Sequence, residues 1–127
     1  MCGIVGFLKL DDGYISENEI KKFTESLNHR GPDDIGIYLD KNKKLGLGHT
    51  RTAILDTSKL GHQPMSYEDE RYWISFNGEI YNFIELKKEL KSLGKIFISD
   101  SDTEVLLVSY QHYGEKCVDH LNGMSSF

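Results

Sequence analysis

The chain begins with the stretch Met1-Cys2-Gly3-Ile4-Val5-Gly6-Phe7-Leu8. Its apolar part, residues 3–8, predicts a buried strand that would hold the N-terminus inside the fold. If the initiator methionine is trimmed, Cys2 carries both a thiol and a free α-amine. Such an amine has a pKa of about 7.7–8.0, and a terminal amine can act as the base that activates a nucleophile. The alternative is an incidental cysteine on a frayed chain end.

Length and composition limit the kind of protein. A chain of 127 residues suits one domain. Fifteen basic and twenty acidic side chains give a formal charge of −5, which argues against nucleic acid or an anionic membrane as partner. The apolar runs are too short for a membrane span, and the N-terminus lacks the pattern of a signal peptide. We therefore expect a cytoplasmic protein in which Cys2 and Cys117 are reduced rather than paired.

Helical and strand patterns are mixed along the chain. Helices are predicted over about 17–28, from near Asn82 to Gly94, from Ser101 to Gly114, and over 115–121. Strands are predicted over 35–39, 45–49, 72–76 and 95–99, with another beginning at 124–127. The pair Asn77-Gly78 is expected to turn the chain, and Leu86, Leu90 and Leu93 to form a buried stripe. Because strands and helices do not alternate strictly, the pattern predicts an antiparallel α+β fold.

Several polar residues could bind a substrate or take part in catalysis. Arg51 follows a predicted strand, where a guanidinium could bind a carboxylate through two hydrogen bonds or form an ordinary surface salt bridge. Asn77 and Gly78 offer the amide donors of an oxyanion hole, although Asn-Gly is far more often a hairpin turn. Asp102 could bind an ammonium group or simply complement a helix N-terminus. The loop at residues 29–33 could be a lid or an ordinary turn.

Taken together, these segments resemble the class II glutamine amidotransferases, a branch of the N-terminal-nucleophile hydrolases. The glutaminase domain of the glutamine-hydrolysing asparagine synthetases is the most similar branch. The matching segments follow the family order along the whole chain: Cys2-Gly3-Ile4-Val5-Gly6, His29-Arg30-Gly31-Pro32-Asp33-Asp34, Gly48-His49-Thr50-Arg51, Gln63-Pro64-Met65, Phe76-Asn77-Gly78-Glu79-Ile80-Tyr81-Asn82 and Ser101-Asp102-Thr103-Glu104. The resemblance implies two stacked antiparallel sheets flanked by helices, in four layers (αββα).

The resemblance also implies roles for individual residues. Cys2 would attack the side-chain amide of glutamine with its own α-amine as base, and Asn77 and Gly78 would hold the oxyanion. Glutamate and ammonia would be the products. The glutamine-binding residues would be Arg51 for the α-carboxylate, Glu79 and Asp102 for the α-ammonium, and Thr52, Ala53, Ile54 and Leu55 along the wall, together with Asn77 and Gly78. His49 and His62 are expected to support loops, and Cys117 to be a small core residue.

The resemblance covers residues 1–127 as a partial type 2 domain, incomplete at the C-terminus. Ser125 and Ser126 replace a bulky and a small apolar residue that are usual in relatives. The glutaminase step needs no metal or cofactor, so ATP and Mg²⁺ are expected only for an absent synthetase domain, which would transfer the ammonia to aspartate. A homodimer is an assembly that the resemblance allows. The alternatives are a non-catalytic fragment or interaction module that keeps the glutamine pocket, and an amidotransferase for another acceptor.

Overall fold

The structure, a computed structural model, describes residues 1–53 and 59–127. Within these residues the strands and α-helices run in the order β1 (Gly3–Leu8), α1 (Glu17–Ser26), β2 (Asp34–Leu39), β3 (Leu45–Arg51), β4 (Met65–Tyr67), β5 (Tyr72–Ile74), β6 (Asn77–Ile80), α2 (Phe83–Ser92), α3 (Asp102–Tyr113) and β7 (Gly123–Ser126). Short 3₁₀ helices occupy Asn28–Arg30, Lys59–Gly61 and Gly114–His120.

All the strand pairs in the described residues are antiparallel. The first sheet has the order β1-β3-β2, with Gly3 opposite Thr50 and Ile35 opposite Thr50 from the other side. Two smaller sheets pair β4 with β5 and β6 with β7. The α+β class expected from the sequence is therefore confirmed.

Helix α1 covers one face of the first sheet and approaches β3 closely at Gly48. Ser16 caps the helix, with its Oγ accepting a hydrogen bond from the Glu19 N–H at 3.1 Å. Ile20 and Thr24 are buried on the inner side of the helix. Opposite them, a Cβ added to Gly48 of β3 would lie 3.1 Å from the Cβ of Thr24. Glycine at this position lets the helix approach the strand closely.

The opposite face of the first sheet meets a second β layer. Ser75 Oγ donates to the Gly48 carbonyl at 2.9 Å, and His49 Nε2 lies 3.0 Å from the Phe76 carbonyl. Helix α3 contacts β4 and β5 from the far side, and α2 contacts α3. The layers thus follow the αββα order implied by the family resemblance. The second β layer, however, consists of two separate strand pairs.

Two apolar clusters form most of the core around α3. One joins the second β layer to α3 and consists of Met65, Ile74, Phe76, Ile80, Leu106, Leu107 and Cys117. The other joins α2 to α3 and consists of Leu86, Leu90, Val105 and Val108. Helix α3 is buried along most of its length, which explains why its sequence shows no polar face. Cys117 is 1% exposed and is the core residue that the sequence predicted.

One turn prediction and one strand prediction were wrong. The strand predicted over 72–76 forms but ends at Ile74, and Asn77-Gly78 begins β6 instead of turning the chain. No strand forms at residues 95–99. There, the carboxylate of Glu104 accepts hydrogen bonds from the backbone N–H groups of Ile98 and Ser99, at 2.9 and 2.8 Å. A side chain therefore satisfies backbone donors that a neighbouring strand would otherwise pair.

Helix details also differ from the sequence prediction. Leu93 was expected to be buried, but it lies just after α2 and is 50% exposed. The segment predicted as a helix over 115–121 is a 3₁₀ helix, Gly114–His120. Within the described residues, no helix has the length and apolar character needed to cross a membrane.

Candidate active site

Residues from distant parts of the sequence line one cavity of about 380 Å³. Among them are seven of the residues predicted for the site: Cys2, Arg51, Thr52, Asn77, Gly78, Glu79 and Asp102. Further lining residues are Met1, Gly61, Gln63, Phe76, Ser101, Thr103, Met124, Ser125 and Ser126. The predicted wall residues Ile54 and Leu55 lie outside the described residues.

The Cys2 thiol lies beside the end of β3. Pairing of β1 with β3 begins at Gly3, whose N–H also donates to Thr50 Oγ1 at 3.1 Å. The Thr52 N–H then donates to Cys2 Sγ at 3.3 Å. Met1 is 69% exposed, and its terminal nitrogen lies 3.5 Å from Thr52 Oγ1. The chain start is thus fixed from Gly3 onward, while the initiator faces solvent.

The loop at residues 29–33 packs against this cysteine rather than away from it. Arg30 Nε donates to the Cys2 carbonyl at 3.3 Å, and Thr52 Oγ1 donates to the Arg30 carbonyl at 2.9 Å. The Ala53 N–H donates to Asp33 Oδ2 at 2.9 Å. Ala53, predicted as part of the cavity wall, therefore contacts the loop, and it is not among the residues that line the cavity.

Asn77 and Gly78 are held by the pairing of β6 with β7. Asn77 lies opposite Ser126, and Gly78 lies opposite Ser125. A Cβ added to Gly78 would collide with the Met124 carbonyl oxygen and would lie 2.7 Å from Ser125 Cα. This pairing brings an Asn side-chain amide and the adjacent Gly backbone to the wall of the cavity.

Asp102 lies in the first turn of α3. Ser101 caps the helix through a 3.1 Å hydrogen bond from the Thr103 N–H, and Asp102 Oδ2 accepts the Ile80 N–H at 3.0 Å. Burial raises the pKa of the Asp102 carboxyl, and the charge of Glu79 adds to this effect, while the Ile80 hydrogen bond opposes it. The bond to Ile80 ties the helix N-terminus to the strand that carries Asn77.

The cavity combines charges of both signs. Arg51 ends β3 and is 8% exposed, whereas Glu79 is exposed on β6 and Asp102 is 6% exposed. One cation and two carboxylates around a small cavity complement a zwitterion that carries one carboxylate and one ammonium group. The Cys2 thiol supplies a nucleophile next to these charges.

Two residues of this region hold the backbone beside Asn77: His49, which was expected to support a loop, and Gln63, which had no predicted role beyond its motif. His49 is completely buried, and its Nε2 donates to the Phe76 carbonyl at 3.0 Å. Desolvation lowers the pKa of His49 to about 4, so the ring is neutral at pH 7. Gln63 accepts the Phe76 N–H at 2.6 Å and donates to Thr103 at 3.1 Å. The only sequence signal for Gln63 was its place in the Gln63-Pro64-Met65 segment.

His62, which was also expected to support a loop, does not line the cavity. His62 Nδ1 lies 2.6 Å from Asp34 Oδ2 at the surface, in keeping with a loop-supporting role. In the part of the chain that the structure describes, no three His, Cys, Asp or Glu side chains are grouped so that they could hold a metal ion.

Comparisons with known proteins agree with this geometry. The family model of the glutamine amidotransferase domain matches residues 1–127. The chain is 48% identical over 130 residues to asparagine synthetase [glutamine-hydrolyzing] 1 of Bacillus subtilis (strain 168), covering all of this chain and 20% of the relative. It is 43% identical over 143 residues to putative asparagine synthetase [glutamine-hydrolyzing] 2 of Methanocaldococcus jannaschii, covering all of this chain and 27% of the relative.

A solved structure shows the same fold. It is the glutamine phosphoribosylpyrophosphate amidotransferase from B. subtilis complexed with ADP and GMP, with a TM-score of 0.77 and 23% identity. The match covers 96% of this chain and 33% of that one. The chain thus spans only about a fifth to a third of these proteins. The resemblance inferred from the sequence is confirmed: the chain belongs to the glutamine amidotransferase domain family.

Proposed function

We propose that this chain is the glutaminase unit of an asparagine-synthetase-like amidotransferase and hydrolyses glutamine to glutamate and ammonia. One observation carries the proposal. The Cys2 thiol, a guanidinium, two carboxylates and the Asn77-Gly78 pair surround a single cavity of about 380 Å³. A free amino acid with a terminal amide needs this combination of groups.

The chemical step begins once trimming of Met1 exposes the α-amine of Cys2. The amine takes the thiol proton, and the sulfur attacks the carboxamide carbon of glutamine. The Asn77 side-chain amide and the Gly78 N–H stabilise the oxyanion of the tetrahedral intermediate, where one such donor contributes about 3–4 kcal/mol. The amine then returns the proton to the departing ammonia. Water hydrolyses the resulting γ-glutamyl thioester to glutamate and the free thiol.

Substrate binding follows from the charges. Arg51 binds the α-carboxylate, and Glu79 and Asp102 bind the α-ammonium group. Thr52 contributes its backbone close to the thiol, where its N–H already donates to Cys2 Sγ. The roles of Ala53, Ile54 and Leu55 as wall residues remain predictions.

The ammonia would pass to a synthetase domain. The relatives are named as asparagine synthetases and are several times longer than this chain, so we infer aspartate, activated by ATP, as the acceptor. ATP and Mg²⁺ would belong to that domain, and the glutaminase step would need neither. We place the protein in the cytoplasm, and a homodimer is an assembly to test by light scattering.

The decisive experiment is a glutaminase assay joined to N-terminal mass spectrometry. Protein that starts at Cys2 is expected to release glutamate, and Cys2→Ala is expected to abolish turnover. Cys117→Ala removes the other, buried thiol and provides the matched control, because its residue lies outside the cavity. A variant with a short extension ahead of Cys2 should be inactive.

Two results would contradict the proposal. The first is glutamine hydrolysis by protein that retains Met1, because its Cys2 has no free amine. The second is a folded protein that starts at Cys2 and does not turn over glutamine, which would favour the non-catalytic interaction module.

A further inference from the structure

The short link between β5 and β6 is held by side chains instead of a strand ladder. β5 ends at Ile74, and β6 begins at Asn77. Between them, the Phe76 carbonyl accepts from His49 Nε2 at 3.0 Å, and the Phe76 N–H donates to Gln63 Oε1 at 2.6 Å. The backbone that leads into Asn77 therefore takes its position from the His49 and Gln63 side chains.

Gln63 extends this contact to α3. Its Nε2 donates to Thr103 Oγ1 at 3.1 Å, so one amide uses both of its ends. Gln63 is 5% exposed, and Phe76 and Thr103 are each 2% exposed. Phe76 directly precedes Asn77, and Thr103 directly follows Asp102. A single buried side chain thus connects the neighbours of two residues on the cavity wall.

We propose that Gln63 is a positioning residue that fixes the separation between the oxyanion donors at Asn77-Gly78 and the ammonium-binding carboxylate of Asp102. This inference rests on the proposed function. A substrate held by its α-ammonium at one end must present its carboxamide to the oxyanion donors at the other. A displacement of about 1 Å between such groups can reduce a rate by about 100-fold.

The energetic basis is the burial of the Gln63 amide and of its partners, Phe76 and Thr103. Removing Gln63's amide leaves the buried Phe76 N–H without its acceptor, which costs more than the loss of an exposed hydrogen bond. The link then shifts to find another partner, and it carries Asn77 with it. The Ile80–Asp102 hydrogen bond remains, so β6 stays connected to α3.

The first test compares two Gln→Met variants. Gln63→Met keeps the length of the side chain and removes both hydrogen bonds. We expect kcat for glutamine hydrolysis to fall by about tenfold or more with a much smaller change in KM, because substrate charges are still bound while the reacting amide is misplaced. Gln111→Met is the matched control. Gln111 lies near the C-terminal end of α3, and its amide bonds Glu68 and Lys95, none of which lines the cavity, so kcat should not change.

A second variant removes only the hydrogen bond between Gln63 and α3. Thr103→Val removes the hydroxyl and leaves the Phe76–Gln63 bond in place. We expect kcat to fall by about threefold to tenfold. The double variant Gln63→Met/Thr103→Val should be no slower than Gln63→Met, because both substitutions remove the same hydrogen bond between Gln63 and Thr103. If Gln63→Met does not fold, Thr103→Val alone decides, and an unchanged kcat then overturns the inference.

The outcomes separate the two proposals. Wild-type turnover with an unchanged kcat in folded Gln63→Met overturns the positioning role and leaves the proposed function intact. Additive effects of the two substitutions also overturn the positioning role. Wild-type protein that starts at Cys2 and shows no turnover overturns the proposed function and, with it, this inference.

Discussion

Gly78 shows how little space the site leaves at a single residue. A Cβ there would collide with the Met124 carbonyl oxygen, and β6 cannot move away without breaking its pairing with β7. We expect Gly78→Ala to lower the free energy of unfolding by about 1–3 kcal/mol and to abolish glutaminase activity. Urea unfolding and an activity assay provide the measurements.

Gly6→Ala is the control for this substitution. Gly6 lies on β1, and a Cβ at that position meets no other atom within 4 Å. The free energy of unfolding should change by no more than about 0.5 kcal/mol, with activity retained. Equal effects of the two substitutions would show that the crowding at Gly78 is unimportant.

His49 makes stability depend on pH. Burial lowers the pKa of His49 from 6.5 to about 4 in the folded protein. Above pH 6.5 the ring is neutral in both folded and unfolded chains, so the free energy of unfolding does not depend on its protonation. As the pH falls below 6.5, the unfolded chain takes up a proton that the folded protein does not. The free energy of unfolding therefore falls between pH 6.5 and about 4, by up to about 3 kcal/mol.

Urea unfolding of wild type and His49→Gln at several pH values between 7.5 and 4 tests this effect. His49→Gln is expected to be less stable at pH 7.5, because the fit around the Phe76 carbonyl changes. Its free energy of unfolding should nevertheless vary less with pH than that of wild type. Parallel pH profiles for the two proteins would show that His49 is not the group responsible.

The residues that sequence reasoning identified are those with recognisable chemistry. A thiol next to the chain start, an arginine after a strand and an aspartate at a helix N-terminus could each be proposed from local pattern, and Cys2, Arg51 and Asp102 line one cavity. The positions of Gln63 and His49 could not be derived in this way. Both act on the backbone of Phe76, a contact that exists only after two β layers have packed together.

At the scale of elements, the close contact of α1 with the first sheet depends on the absence of a side chain at Gly48, opposite Thr24. A Cβ on Gly48 would collide with the Thr24 hydroxyl, which itself donates to the Ile20 carbonyl at 2.7 Å. We expect Gly48→Ala to lower the free energy of unfolding by about 1–3 kcal/mol. Thermal or urea unfolding measures the loss, and α1 should be the first element to lose protection from hydrogen exchange.

A second substitution can relieve the crowding. Thr24→Ala removes the atoms nearest the added methyl group, so the double variant Gly48→Ala/Thr24→Ala should be more stable than Gly48→Ala alone. The gain measures the interaction between the two positions. If the double variant were less stable than either single variant, crowding between helix and strand would not explain the effect.

Elements with strong local signals were predictable, and those set by distant contacts were not. Helices α1 and α3 begin directly after Ser16 and Ser101, and each serine side chain accepts a hydrogen bond from an N–H of the first turn, a local signal that is visible in the sequence. The Asn77-Gly78 pair favours a turn locally, but pairing with Ser125 and Ser126 near the other end of the chain makes it a strand. The strand predicted over residues 95–99 does not form, and the Glu104 carboxylate accepts hydrogen bonds from the backbone N–H groups of Ile98 and Ser99.

At the scale of the whole molecule, the cavity is lined by residues of the chain start, β3, β6, β7 and α3, so a bound ligand should stabilise most of the fold. A ligand at 100 times its Kd adds about 2.7 kcal/mol to the free energy of unfolding. For a chain of this size, that corresponds to a rise in Tm of several degrees. We expect glutamine to produce this rise in the unreactive Cys2→Ala variant.

A glutamine analogue without the α-amine is the matched ligand. It keeps the carboxylate and the carboxamide but gives Glu79 and Asp102 nothing to bind, so its effect on Tm should be much smaller. Equal shifts for both ligands would contradict the assignment of these carboxylates to the α-ammonium group.

The attachment of β1 from Gly3 onward has a consequence for how such a protein would mature. The pairing of β1 with β3 lies wholly beyond the peptide bond that a methionine aminopeptidase would cut, and Met1 itself is 69% exposed, with a long contact of 3.5 Å from its nitrogen to Thr52 Oγ1. Trimming would therefore unmask the new terminal amine beside Thr52 without refolding. The onset of activity would then be timed by a protease, in one irreversible event, and no longer by folding itself.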